Sequence, residues 1–264
     1  MNPLKLLISA FFMSILLSCE PKIVSFDDPD LPQICRNQLE EKGKVYEANS
    51  KIYLKGGDST NWDFDITNWS LKICNIKDYG LDREDFPALI SPLYTPISEI
   101  PNAFPSTEKL LYLHSSEELK VYPYTTMTAH EAINEYVEGE PIMIAYCYLA
   151  DLAAVYTRTY CEKELTFALT GYTYADPGEW EGLDGFLLWD RETESIWWPL
   201  IDLAVSGPMK DTRLKKYDQQ KWGYGTWGDM LQDHPEALVL QSEPDWKLDK
   251  TIHRLGCEDL DCCP

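Results

Sequence analysis

The sequence is poor in basic residues. Lys and Arg total 23 of its 264 residues against 44 Asp and Glu, so the formal net charge is −21 and the pI is near 4.5. A chain with so few cations has little with which to neutralise phosphates, which argues against nucleic acid as a partner. There is also no internal repeat and no glycine-rich nucleotide-binding fingerprint. Hydrophobic residues at 44% and aromatic residues at 12% nevertheless exclude a disordered acidic tail.

Residues 1–18 form an apolar stretch with one early positive charge, Lys5, and they end in Leu16-Leu17-Ser18 before Cys19. Such a stretch is typical of a secretory signal and is too short for a membrane span. Its last residues and Cys19 resemble the bacterial lipobox, in which the chain is cut before the cysteine and a lipid is attached to its sulfur. We expect a protein anchored to the membrane through Cys19, in the bacterial cell envelope on the periplasmic or outer-membrane face. An ordinary signal peptide and a soluble periplasmic protein are the alternative.

The expected location in the cell envelope determines which state the cysteines should adopt. With Cys19 lipidated, seven remain, and disulfides are expected in an oxidising envelope. Because seven is odd, at least one thiol must stay free, bind a metal or pair between chains. The tail contains three of them: Cys257, Cys262 and Cys263. We expect disulfides to fasten the tail to the body, for example to Cys35 or Cys74, and a soft-metal site in the tail is the alternative.

The composition divides the rest of the chain into three parts. Residues 19–88 are polar and rich in turn residues, which predicts a spacer followed by a small irregular region. Five prolines between residues 87 and 105 disfavour helix interiors and central strands. Residues 89–241 are patterned like a folded domain, and residues 242–264 form a cysteine-rich tail.

Short apolar runs separated by turns predict a strand-rich domain. The predicted strands lie at 110–113, 119–122, 141–150, 155–160, 165–169, 186–189, 196–198 and 237–240. Thr128 and Glu131 have capping-box spacing and open a predicted helix that ends at Gly139, and Thr226 opens a second helix. The expected fold is α+β and β-rich, a mostly antiparallel sheet or partly open barrel with two short helices.

Five motifs follow one another in the second half of the chain. They are His-Glu-Ala-Ile-Asn-Glu at 130–135, Glu-Pro-Ile-Met-Ile-Ala-Tyr-Cys at 140–147, Trp-Asp-Arg-Glu-Thr-Glu-Ser-Ile-Trp at 189–197, Gly-Pro at 207–208 and His-Pro-Glu-Ala-Leu-Val-Leu at 234–240. In this order they resemble the bacterial family catalogued as domain of unknown function 3179. The resemblance covers roughly residues 93–241 and implies no assigned activity.

Members of that family typically carry Tyr-Cys-Pro-Leu-Cys after the buried strand, and some place selenocysteine there. The resemblance therefore implies thiol redox chemistry, since two thiols on one turn can exchange with a partner disulfide. This chain departs from the pattern, because Ala150 stands at the second cysteine position. A one-turn dithiol is impossible, so Cys147 would react as a single thiol or with Cys161 as a distant partner.

His130 and Cys147 are the candidate catalytic residues, and they are also the candidate ligands of a soft metal ion. His130 falls in the first turn of the predicted helix, where the helix dipole favours a neutral imidazole. In the alternative interpretation, His130 donates to a backbone carbonyl and Cys147 is a small buried hydrophobic residue. The chain would then be a non-enzymatic binding or scaffold lipoprotein that has lost the dithiol of the family, with an unknown protein or small-molecule partner.

A third function, carbohydrate binding or hydrolysis, depends on the residues around the predicted hairpin turn at 190–195. Tryptophans and carboxylates concentrate there: Trp180, Trp189, Trp197, Trp198, Glu179, Glu181, Asp184 and Asp190. Paired carboxylates beside aromatic rings suit glycoside chemistry. The plainer interpretation is a solvated turn in which Arg191 pairs with an acid, and tryptophans that fill the core.

Overall fold

The computed structural model describes residues 42–242 together with Leu39. The predicted signal peptide, Cys19, Cys35 and the tail beyond Ser242 lie outside the described residues. The strands are β1 (Val45–Ala48), β2 (Lys51–Leu54), β3 (Phe64–Asp65), β4 (Ile76–Asp78), β5 (Leu89–Ile90), β6 (Tyr94–Pro96), β7 (Lys109–His114), β8 (Leu119–Pro123), β9 (Ala132–Val137), β10 (Glu140–Cys147), β11 (Leu152–Thr157), β12 (Thr159–Tyr160), β13 (Lys163–Glu164), β14 (Phe167–Tyr174), β15 (Gly185–Asp190), β16 (Ile196–Trp198), β17 (Leu203–Ser206), β18 (Trp222–Thr226) and β19 (Leu238–Leu240). The α-helices of this part are α1 (Tyr124–Met127) and α2 (Trp227–Asp233), and single 3-10 turns lie at Thr60–Trp62, Ile73–Asn75, Ile97–Glu99, Trp180–Gly182 and Pro199–Ile201.

The strands form four larger sheets and one small hairpin, β12-β13. We call them the N-terminal sheet (β1-β2-β3), the central sheet (β11-β10-β9-β5), the tryptophan-rich sheet (β17-β16-β15-β14-β4) and the outer sheet (β18-β7-β8-β19-β6). Most pairs are antiparallel, while β5 with β9 and β8 with β19 are parallel. Across residues 42–242 no sheet closes into a barrel. The prediction of a β-rich α+β fold with mostly antiparallel sheet is confirmed.

Strand β10 explains the layered arrangement. Its alternate residues point to opposite faces, as in any strand. Met143, Ala145 and Cys147 belong to the core shared with the tryptophan-rich sheet, whereas Ile142 and Ile144 belong to the core shared with the outer sheet. The central sheet is therefore covered on both faces, as the continuous apolar run predicts.

Residues 42–88 are more regular than the predicted irregular region. They carry the N-terminal sheet, and Val45, Leu54 and Phe64 are buried in the same core as the tryptophan-rich sheet. Strand β4 joins that sheet by pairing antiparallel with β14, residues 76–78 against 172–174. The short strands have little apolar alternation of their own, so long-range packing rather than local pattern specifies them.

The prediction of a helix that begins at Thr128 is wrong, because this segment forms a turn and a strand. Helix α1 ends at Met127, and the Thr128 hydroxyl donates back to the carbonyl of Tyr124 at 2.8 Å instead of accepting from Glu131. Residues 132–137 form β9, which pairs with β10 from Ala132↔Ala145 to Val137↔Glu140. Because β9 is buried on both faces, its apolar residues lose the strict alternation of a half-exposed strand and imitate helical spacing.

Other local predictions are confirmed. The Thr226 hydroxyl caps α2 by accepting from the backbone N–H of Asp229 at 3.3 Å. The run rich in proline supplies only short strands at sheet edges, β5 and β6, where a missing donor is tolerated. In the described part of the chain, no helix is both long enough and apolar enough to cross a membrane.

Strand β10 generates a stability prediction. Ile144 is completely buried on β10, whereas Ile90 on β5 of the same sheet is 40% exposed. We expect Ile144→Ala to lower the free energy of unfolding by about 2–5 kcal/mol, because it removes buried methyl groups and leaves a cavity. The matched change Ile90→Ala should cost less than about 1 kcal/mol. Urea denaturation of both variants checks this, and equal losses would contradict the central position of β10.

Candidate functional site

Cys147 lies at the last position of β10, on the face that packs against the tryptophan-rich sheet. Its side chain is completely buried and its thiol is free. Burial raises the pKa of the Cys147 thiol to about 11, and the nearby backbone N–H groups of Phe186 on β15 and of Ala150 and Leu149 in the turn after β10 offset only part of that effect. At neutral pH the sulfur therefore keeps its proton.

The turn that follows Cys147 reaches the protein surface. Tyr148 and Leu149 are exposed, and Asp151 forms an ion pair with Lys109 at 2.7 Å. Ala150, at the position of the second cysteine of the family, packs against the core. Since Cys161 is itself disulfide-bonded and Cys147 is free, these two cysteines are not paired with each other.

His130 occupies the turn between α1 and β9, not the first turn of a helix. Only 3% of its surface is exposed, and both ring nitrogens are engaged: Nδ1 with the carbonyl oxygen of Pro87 and Nε2 with the hydroxyl of Ser242, each at 2.8 Å. A carbonyl can only accept, so Nδ1 carries a proton, and in the neutral ring Nε2 accepts from Ser242. The ring fastens residues 87 and 242 to the start of β9.

The strand pairing places His130 and Cys147 at the same end of β9 and β10. The last paired residues are Ala132 and Ala145, and each candidate lies two positions beyond them. The histidine ring is nevertheless directed to Pro87 and Ser242, whereas the sulfur lies near backbone N–H groups of β15 and of the turn after β10. Within the described residues, no group of three or more His, Cys, Asp or Glu side chains could hold a metal ion.

Glu131 is a residue of this site that sequence reasoning missed. It follows His130, is only 4% exposed, and has a left-handed φ of 55°, which is uncommon outside glycine. Burial raises the pKa of its carboxyl group to about 8. Its charge also raises the pKa of the nearby Cys147 thiol, after the larger effect of burial. In the described part of the chain, no hydrogen bond or ion pair compensates this carboxyl group.

The remaining polar residues of the same motif are satisfied. Asn134 donates to the carbonyl of Phe167 at 2.8 Å and accepts from its backbone N–H at 2.9 Å, which joins β9 to β14. Glu135 accepts from the hydroxyl groups of Tyr94 and Tyr122 and pairs with Lys120 at 2.7 Å. These contacts are structural, because every polar atom named here has a partner inside the fold.

The hairpin turn at 190–195 is buried rather than solvated, which corrects the plainer sequence interpretation. Asp190 is completely buried and accepts from Trp197 Nε1 at 2.8 Å and from the hydroxyl of Thr193 at 2.8 Å. Burial raises the pKa of Asp190 to about 7. As expected, Arg191 pairs with an acid: it binds both carboxylate oxygens of Glu84, at 3.0 and 2.6 Å.

The tryptophans of this region divide into two groups. Trp189, Trp197 and Trp198 are at most 1% exposed and fill the core, as the plainer interpretation predicts. Trp180 is 43% exposed on the 3-10 turn before β15, beside the exposed Glu179 and Glu181. The three core rings cannot serve as a platform for a sugar without unfolding of the sheet.

Comparison with known proteins confirms the family resemblance. A family model described as "Protein of unknown function (DUF3179)" matches residues 83–249, a range that includes Cys147, His130 and Glu131. No curated protein and no solved structure matches the chain.

Glu131 generates a prediction of pH dependence. Its folded pKa of about 8 lies above the ordinary 4.5, so between these values the folded state binds more protons than the unfolded state. The free energy of unfolding should therefore fall as pH rises from 4.5 towards 8, by about 1.4 kcal/mol for each unit of pKa difference. Glu131→Gln should remove this loss and make the protein more stable than the wild type above pH 8.

The control is Glu140→Gln, which changes an exposed carboxyl group on the neighbouring strand β10. Urea denaturation across this pH range measures all three proteins. Asp190 adds a loss of the same sign that ends near pH 7, so the interval above that pH isolates Glu131. A Glu131→Gln profile parallel to that of the wild type in this interval would disprove the assignment.

Proposed function

We propose that this chain, which belongs to the DUF3179 family of unknown function, is a lipid-anchored binding or scaffold protein of the bacterial cell envelope that acts without thiol catalysis. The observation that carries the proposal is the state of Cys147. A thiol with a pKa of about 11 is ionised in roughly one molecule in ten thousand at pH 7, and the thiolate is the reactive form. Full burial also keeps partner disulfides away from the sulfur.

The neighbourhood of Cys147 supports the same conclusion. Ala150 leaves the turn without a second thiol, and the disulfide at Cys161 removes the distant partner. Both nitrogens of His130 are engaged elsewhere, so the ring is not poised to accept a proton from the sulfur. The chain thus matches the family in sequence, while the groups needed for dithiol exchange are missing.

The envelope location rests on the N-terminal sequence. Leu16 to Cys19 has the form of a lipoprotein cleavage site after an apolar stretch of signal-peptide length. A disulfide at Cys161 is in keeping with an oxidising compartment. Because the chain is strongly acidic, it gains no attraction from anionic lipids, and a covalent lipid would have to supply the membrane attachment.

Single-thiol chemistry is the second candidate, and Glu131 favours it. An uncompensated buried carboxyl group beside a thiol costs stability, and such costs concentrate at functional sites. Above its pKa of about 8, an ionised Glu131 could accept the thiol proton if the turn after Cys147 moved away. The two candidates differ in whether Cys147 reacts in the folded protein.

Thiol labelling distinguishes them. We expect a maleimide to modify Cys147 in the unfolded protein and not in the native protein, because the sulfur is buried and protonated. The difference between the wild type and Cys147→Ser, measured by mass spectrometry without reductant, counts this one thiol. Rapid native labelling that slows in Glu131→Gln would reject the binding proposal in favour of single-thiol chemistry.

The anchor has its own prediction. We expect Cys19→Ala to abolish incorporation of labelled palmitate, because the acceptor sulfur is lost. The control variant Cys35→Ser keeps Cys19 and should incorporate palmitate like the wild type. Palmitate incorporation by Cys19→Ala equal to that of the wild type would show that the anchor proposal is mistaken.

A further inference from the structure

A group of large hydrophobic side chains is exposed near the turn that follows Cys147. We call it the aromatic surface, and its members are Tyr79 (61% exposed), Tyr148 (49%), Leu149 (36%), Trp180 (43%) and Leu183 (46%). Single exposed hydrophobic residues are normal on protein surfaces, but contiguous ones mark sites of interaction.

The members come from three segments, which two hydrogen bonds and one electrostatic interaction link. The hydroxyl of Tyr79 donates to Asp184, which follows Leu183 in the chain. That hydrogen bond chiefly raises the pKa of Tyr79, and the nearby Tyr148 raises it further. The backbone N–H of Leu183 donates to the carbonyl of Trp180 at 3.0 Å. Tyr79 therefore lies beside the segment of Trp180 and Leu183, and Tyr148 lies close enough to Tyr79 to affect its titration.

The indole of Trp180 is fixed in its exposed position. Its Nε1 donates to the carbonyl of Leu200 at 2.6 Å, so the polar edge of the ring is satisfied while much of its area faces solvent. A ring held in this way loses little conformational entropy when a partner covers it.

The segment that carries Trp180 and Leu183 is charged with one sign only. Residues 175–185 contain four carboxylates, Asp176, Glu179, Glu181 and Asp184, and no Lys or Arg. One carboxylate oxygen of Asp184 is buried and has no hydrogen-bond donor within residues 42–242. A partner that brings cations would meet both the negative charge and the electron-rich faces of the aromatic rings.

We infer that the aromatic surface is the binding site of the protein and that it receives a cationic polypeptide segment, whose Arg or Lys side chains stack on Trp180, Tyr79 and Tyr148 between the surrounding carboxylates. The inference rests on the proposed binding function and names the chemical class of the partner. Arginine suits the site better than lysine, because its planar guanidinium stacks on aromatic rings and donates to carboxylates at the same time.

Titration of the purified mature protein with an Arg-rich peptide tests the inference, with fluorescence or calorimetry as the readout. We expect saturable binding that weakens as salt is raised, and no binding of the same peptide with Gln in place of Arg. Tyr148→Ala should weaken binding about tenfold, whereas Tyr136→Ala should not change it. These tyrosines are a matched pair, because both are 49% exposed. Tyr136 serves as the control because it lies outside the aromatic surface, on β9, where its hydroxyl donates to Glu164.

A second pair of variants tests the charges without removing any ring. The double change Glu179→Gln and Glu181→Gln should weaken binding to a similar degree, while Glu117→Gln with Glu118→Gln, an exposed acidic pair outside the surface, should not. Thermal unfolding of each variant checks that it is folded. Binding of the Gln peptide as tightly as the Arg peptide, equal binding by all variants, or binding of N-acetylglucosamine oligomers at Trp180 instead of the peptide would each overturn the inference.

The test separates this inference from the proposed function. If the Arg-rich peptide does not bind and Cys147 stays unreactive in the native protein, the partner class is wrong while the absence of thiol catalysis stands. If Cys147 labels rapidly or Cys147→Ser alters peptide binding, the proposed function itself fails.

Discussion

The structure depends on one constraint, the burial of the central sheet on both of its faces. Strand β10 meets it by sending alternate apolar residues into two separate cores, with Met143 and Ala145 on one side and Ile142 and Ile144 on the other. Cys147 is the last residue of this strand and is buried in the same core as Met143 and Ala145. A sulfur placed there is packed like any other core atom, and its raised pKa is a consequence of position rather than of a special arrangement of charges.

The buried polar residues of the structure are of two kinds. Glu135 and Glu84 are buried carboxylates whose charges are met by Lys120 and Arg191, and Asn134 is bonded on both sides of its amide. Burial without compensation is expensive, which is why buried charges in proteins are usually paired. Glu131 departs from this rule next to the free thiol. The site therefore combines one buried carboxyl group that has no charged partner among the described residues with one buried, protonated thiol.

Much of the fold could be predicted from local sequence. The apolar run 141–150 predicts the buried strand β10, although the strand ends at Cys147 and the last three residues of the run form a turn. The Thr226 cap follows from hydroxyl chemistry at a helix start. The error at Thr128 arose because spacing alone cannot distinguish a short helix from a strand buried on both faces. The candidate site could not be predicted in the same way. Residues distant in the chain bury Glu131, and His130 binds the distant residues Pro87 and Ser242. No local pattern carries that information, and it depends on tertiary packing.

The pairing of β4 with β14 has a consequence for the order in which the protein can fold. Residues 76–78 find their partners about a hundred positions later, at 172–174, and β14 in turn requires β15. During translocation or synthesis from the amino end, the early apolar residues, including Phe64 and Trp69, are therefore exposed until the later strands that bury them are available. For such a topology, acquisition of the native state is a late and concerted event, and the interval before it is the period in which the chain is most open to proteases and to aggregation.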